Sequence, residues 1–365
     1  MPPDMIRVLA CFSLLFFLVP VTFIHGPEPK ANISQYINLE PIQLDADNPL
    51  RKTVGSLEFL AGWKLTSKNS SFGGFSAMLV MPENRFFLLS DMGSLTGFTL
   101  NQKTNRAERP FIAPLPDGPS KKNEFAKRNW DAESLLHDPD TGQFWVGFEH
   151  HHSIWRYGRS FARKEAARKI SPMQKWPDNG GAEAMLRLED NRFLIFSESA
   201  RAKKKGYQAL IVDGDPAEDD AIVQSFSHSP PDGFRITDAT LLPDGRALLL
   251  HRRFTAFQGM SAILSIANPS KISPGTNLQS RPIATLKPPL RVDNMEALAV
   301  TQEGKETIIW IASDDNFNAF QETILMKFRL LEGKAKRDNI HKKPETPSED
   351  KEKAGEKPGF SSLES

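Results

Sequence analysis

The stretch GAEAMLRLEDNRFLIFSES, residues 181–199, decides how the chain is read. A small residue and a carboxylate, Ala182 and Glu183, open onto a short apolar run. The polar turn Leu188–Arg192 follows, and a second apolar run ends on Ser197 and Glu198. Two short apolar runs separated by a turn rich in Asp and Asn spell a β-hairpin. The same grammar recurs in GGFSAMLVMPENRFFLLSDMG (73–93) and WDAESLLHDPDTGQFWVGFEH (130–150). It returns in TDATLLPDGRALLLHRR (237–253) and NMEALAVTQEGKETIIWIASDDN (294–316). Each second run ends on polar or charged residues: Ser90-Asp91, Glu149-His150, Ser197-Glu198, His251-Arg252-Arg253 and Asp314-Asp315-Asn316.

Counted from Ser76, Glu133, Glu183, Asp238 and Glu296, the repeats lie about 55 residues apart. That length suits a four-stranded sheet with its loops better than a single hairpin. With no long amphipathic helix between the units, the pattern predicts an all-β chain, a β-propeller with five recognisable blade repeats and five or six blades. Two roles stay open for VGSLEFLAGWKL (54–65). It supplies an outer strand beside ETILMKFRL (322–330), or it belongs to a degenerate sixth blade. FARKEAARK (161–169) reads as a helical turn on a surface insertion.

The ends differ from this body. Residues 1–26 contain the apolar run Val8–Ile24 after Arg7, the pattern of a secretory signal peptide or N-terminal anchor. The only cysteine, Cys11, lies inside that run. Residues 27–53 form a lead-in, 54–331 the propeller domain, and 332–365 a mixed-charge tail too poor in apolar residues to order itself. A periplasmic or secreted location is expected. Lysine plus arginine (46) nearly balances aspartate plus glutamate (45), which gives no electrostatic case for nucleic acid or an anionic membrane surface.

If the units repeat around one axis, equivalent residues converge. Glu133, Glu183, Asp238 and Glu296 then form one ring with Ser76, while Asp91, Glu149, Glu198 and Asp315 form a second, with Arg252 and Arg253 in the fourth unit. Converging carboxylates repel one another and lose hydration, and a calcium ion, which takes six to eight oxygens in loose geometry, resolves that. Pairing with Arg252 or Arg253, or bracing of backbone N–H groups, resolves it without metal. His150, His151 and His152 follow Glu149; neighbouring strand residues point opposite ways, so either His152 faces the channel mouth or the three form a surface run. Lys203–Lys205 stand in a loop of undetermined direction. No G-x-S-x-G, Walker loop, H-E-x-x-H or C-x-x-C is present.

Taken in order, these segments resemble the bacterial phytase-like propeller family, "esterase-like activity of phytase", from about Gly55 to Leu330. LLPDGRALLLHRRF and SDDNFNAFQETILMKF are the most specific pieces. The resemblance implies an exported hydrolase of small-molecule esters or phosphate esters, with calcium implied by the wider comparison with β-propeller phytases. In such sites the ions bridge the phosphate and activate a water. The matching positions are Asp91, Glu133, Glu149, Glu183, Glu198, Glu296, Asp315 and Asn316 as metal ligands, with Arg252 and Arg253 steadying an anionic substrate. His251 stands where relatives typically carry Glu, which removes one carboxylate from the expected ring. Lactonase-like chemistry and a non-catalytic binding propeller with a structural acidic ring stay open.

Overall fold

The computed structural model describes residues 31–119 and 130–331; the N-terminal segment and the charged tail expected from the sequence lie outside them. The described chain is all-β, with four 3-10 turns between strands. No helix among the described residues is long and apolar enough to cross a membrane. The strands are β1 (Ile37–Pro41), β2 (Thr53–Val54), β3 (Leu57–Ser67), β4 (Phe75–Met81), β5 (Arg85–Ser90), β6 (Ser94–Asn101) and β7 (Arg106–Pro114). The second repeat gives β8 (Ala132–His137), β9 (Phe144–Phe148), β10 (Ser153–Tyr157) and β11 (Lys164–Lys169), and the third β12 (Ala182–Arg187), β13 (Phe193–Arg201), β14 (Tyr207–Asp213) and β15 (Ile222–Ser229). The fourth gives β16 (Arg235–Leu241), β17 (Ala247–Thr255), β18 (Gly259–Ala267) and β19 (Asn277–Leu286), and the fifth β20 (Asn294–Glu303), β21 (Glu306–Asp314) and β22 (Ile324–Leu330).

Each repeat folds into one antiparallel meander. β4–β7 and β8–β11 are separate four-stranded sheets, whereas β12–β15 and β16–β19 join through a short parallel pairing of β15 with β19 into one eight-stranded sheet. The two end strands of that sheet, β12 and β16, lie against each other, so it nearly closes on itself. The last sheet runs β1-β3-β22-β21-β20. The 54–65 segment therefore supplies an outer strand to the fifth unit, with Leu57 opposite Leu330 and Lys64 opposite Ile324. Lys164–Lys169 is an edge strand rather than the helical turn expected from its composition. Pairing along β10 overrides its helical propensity, and its exposed lysines suit an edge that must not recruit another strand.

The first strands of the units, β4, β8, β12, β16 and β20, pack each against the next, and β20 against β4. Five apolar cores lie between consecutive units, not within them. That explains why the second runs are continuously apolar. Successive side chains on a strand point to opposite faces, and here both faces are buried. On β17, Ala247 and Leu249 face the third unit while Leu248 and Leu250 face the fifth. On β21, Ile308, Trp310 and Ala312 pack toward the first unit, where Trp310 stacks on Trp63 and meets the edge of Phe86.

Candidate metal centre

Every first strand carries a register break one or two residues after its pairing begins, at Ser76, Glu133, Glu183, Thr237 and Glu296. A β-bulge leaves that residue without an opposite number and re-aims its side chain. The repeated bulge turns three glutamates toward one place. It also corrects the repeat alignment in the fourth unit, where Thr237, not Asp238, is the equivalent residue. Asp238 instead braces the fourth unit to the fifth: its Oδ2 accepts from Leu298 N (2.7 Å) and its Oδ1 from Ala239 N (2.7 Å). Hydroxyls do the same elsewhere, with Ser76 Oγ donating to Ala132 O, Ser134 Oγ to Ala182 O and Thr237 Oγ1 to Met295 O.

The register also fixes the second tier. The residue before each bulge pairs with Ser90, Phe148, Ser197, His251 or Ser313. The next residue along is Asp91, Glu149, Glu198, Arg252 or Asp314. Asp314, not Asp315 or Asn316, is thus the fifth member, and it is buried. Asp315 is spent on the junction with the first unit: Oδ1 accepts from Gly74 N (2.9 Å) and Phe317 N (3.1 Å), Oδ2 from Thr323 Oγ1 (2.9 Å). Asn316 is exposed and donates to Gln321 Oε1. Gly74 admits this packing because its φ is +62° and a Cβ there would stand 2.6 Å from Asp91 Oδ1.

The two tiers form one electrostatic cluster. One oxygen each from Asp131, Glu133 and Glu149 lie within 4.8 Å of one another, an all-carboxylate group that could hold a metal ion. Burial, then Asp131, pushes the Glu149 carboxyl up to about 8, although Gly181 N donates to it at 2.8 Å. Burial raises Glu183 well above the carboxylate range, reinforced by Glu149, Glu133, Glu198 and Glu296. Asp314 is pushed up to about 8 by burial and by Glu296, against the lowering effect of Asn316 N (2.6 Å). Arg252 is the counter-charge: its Nε lies 2.7 Å from Glu296 Oε1 and its terminal nitrogen 3.3 Å from Glu198 Oε1. Those carboxylates, Glu296 above all, hold the guanidinium firmly charged.

Other expected site residues fall elsewhere. Arg253 lies over the Phe234 ring (4.4 Å) and donates to Gln258 Oε1, with no carboxylate partner among the described residues. The histidine that reaches the cluster is His150, whose Nδ1 is 3.5 Å from Asp131 Oδ2. His152, at φ +46°, closes the turn after Glu149 through its own N–H, and its carbonyl accepts from Ile170 N and Gln174 Nε2. His251 costs the ring nothing, because its register position faces the core. Its Nε2 meets Ser265 Oγ at 2.7 Å, and burial with nearby His228 lowers its pKa to about 3. His228 is likewise lowered by burial to about 4, with Nε2 3.2 Å from Ser197 O.

Both imidazoles are neutral in the fold and charge readily once exposed, at about pH 6.5. Their stabilising effect is complete above that value and is lost as pH falls toward 4. His228→Phe keeps the ring between Phe196 and Tyr207. Urea midpoints measured from pH 7 to 4 should therefore fall less steeply for the variant than for the parent, by roughly 2–3 kcal/mol over the range. Parallel slopes would show that His228 does not resist protonation.

The fit to a hard cation rests on the donor set: carboxylate oxygens held in excess over the nearby guanidinium, in a partly dehydrated cluster. Asp131 and Glu149 are buried. No curated protein matches the chain. Among solved structures, a luciferin-regenerating enzyme is 12% identical, over 79% of this chain and 95% of that one, with a TM-score of 0.40. The Malassezia sympodialis allergen Mala s 1 is 15% identical, over 75% of this chain and 77% of that one, with a TM-score of 0.38. The model of the phytase-like family, "esterase-like activity of phytase", matches residues 70–317, and the chain belongs to that family.

Proposed function

We propose that the chain is an exported five-bladed β-propeller whose clustered carboxylates hold calcium and support hydrolysis of an ester or phosphate ester. The observation that carries this reading is the convergence of Asp131, Glu133 and Glu149 beside Glu183. Four more meanders repeat the architecture around them, and family membership supports a hydrolase. Asp131, Glu133 and Glu149 are the proposed ligands, with Glu183 close by. Bound calcium would supply Lewis-acid polarisation of the scissile ester and offset the charge that develops on it. Arg252, held by Glu296 and Glu198, keeps the far side of the cluster from repelling an anionic substrate. His150 lies against Asp131 at the cluster's edge.

Arg252 also favours a second reading, in which the ring is structural and the protein binds a ligand or partner without catalysis, since one guanidinium already bridges two of the carboxylates. Purified protein assayed on aryl phosphates and aryl acetates, with calcium or with chelator, separates the two. Calcium-dependent turnover is expected. No turnover in either condition, with no calcium-dependent shift in melting temperature, would leave the structural reading standing.

A further inference from the structure

The eight-stranded sheet holds a second feature, at the parallel join of β15 with β19. A cavity of about 540 Å³ opens there between the third and fourth units, with Tyr207 and Phe234 among its lining residues. Both rings are buried and both are capped by guanidinium groups. Arg201 lies 4.4 Å from the centre of Tyr207, Arg235 lies 5.6 Å from it, and Arg253 lies 4.4 Å from the centre of Phe234. Lys205 joins Arg201 on the cavity wall. None of these four cations has a carboxylate partner among the described residues; Arg235 donates to the Glu198 carbonyl and Arg253 to Gln258. Asp232 is the carboxylate on the wall, so positive charge exceeds negative around the cavity.

Stacking on an aromatic face fixes a guanidinium plane and leaves its edge N–H groups to bind oxyanions in pairs. Arg201 and Lys205 flank the turn between β13 and β14, and the β15–β19 join sets Gln279, Ser280 and Pro282 on the same cavity wall.

The geometry points to an organic-oxyanion site in this cavity, in which Arg201, set over the Tyr207 ring, and Lys205 bind a phosphate or carboxylate group of a small ligand. The site stands independently of hydrolysis at the acidic cluster. It is nonetheless adjacent to that cluster, since Arg235 pairs with Arg252 across the β16–β17 ladder and Arg252 reaches Glu198.

The test is calorimetric titration of the full chain with inorganic phosphate and, separately, with succinate, each in chelator and in calcium. Saturable binding of at least one anion is expected in chelator. Arg201→Ala/Lys205→Ala, two exposed positions whose replacement spares the core, should weaken it at least tenfold with the melting temperature unchanged. Phosphate binding alone would assign a phosphorylated ligand, and succinate binding alone a carboxylate. Binding that needs calcium and ignores the Arg201/Lys205 pair would place the anion on the acidic cluster and overturn the inference. Absence of binding by both anions in chelator would overturn it too, leaving the hydrolase assay unaffected.

Discussion

Glu183→Gln is expected to melt above the parent in chelator at pH 8 and below it in millimolar calcium. Burial and four neighbouring carboxylates hold Glu183 protonated in the fold well above its usual range. The unfolded chain ionises near pH 4.5, so the folded state binds a proton the unfolded state lacks. Stability therefore declines as pH rises above that value. Glutamine removes the penalty, and the metal-free variant should gain roughly 1–3 kcal/mol at pH 8, with the gain shrinking toward pH 5. About 1 kcal/mol moves the midpoint by roughly 2 °C in a chain of this size. Calcium reverses the order, because saturation at a hundred times Kd adds about 2.7 kcal/mol to a protein that binds it and little to one that has lost a neighbouring carboxylate. Scanning calorimetry in both buffers reads the crossing. A variant less stable than the parent in both would mean that Glu183 is held by structural pairing.

Arg252→Ala should be the most damaging single change at the cluster, costing about 2–4 kcal/mol in urea unfolding without calcium. Removing one partner of a buried pair leaves its mate uncompensated, at roughly 3–5 kcal/mol. The arginine side chain is 31% exposed, which lowers the figure. Two carboxylates lose their partner at once, Glu296 at 2.7 Å and Glu198 at 3.3 Å. Arg252→Lys should recover only part of the loss, because one ammonium cannot reproduce the fork that reaches both. A loss below 1 kcal/mol would mean that water already screens the pair.

The five hairpins and the all-β class were legible because alternation, turn chemistry and spacing agreed in every copy. Most of the cluster was legible for the same reason: Asp91, Glu133, Glu149, Glu183, Glu198, Glu296 and Arg252 all fall in its two tiers. The failures share one cause, which is register. A bulge moves the inward position by one residue, and nothing in TDATL shows that Thr237 rather than Asp238 is the bulged residue. Consecutive acids at 314 and 315 carry no mark of which follows the paired Ser313. His251 looked like a missing ligand only because its place in the ladder was unknown. Asp131 left no signal: it precedes β8 in a left-handed conformation, φ +42°, and Glu133 is itself the bulged residue, so strand alternation does not relate the two. The basic cavity left none, since Arg201 and Lys205 read as surface charges until the β15–β19 join sets Gln279, Ser280 and Pro282 on the same wall.

The pairing of β3 with β22 sets the order in which the molecule can be made. A ribosome releases the first of these strands some 260 residues before the second can meet it. Until then the fifth sheet lacks its outer edge. Contacts of such long range are slow to form, because loop closure must be met before they stabilise anything. A chain cut short before Ile324 should lack the closing contact altogether.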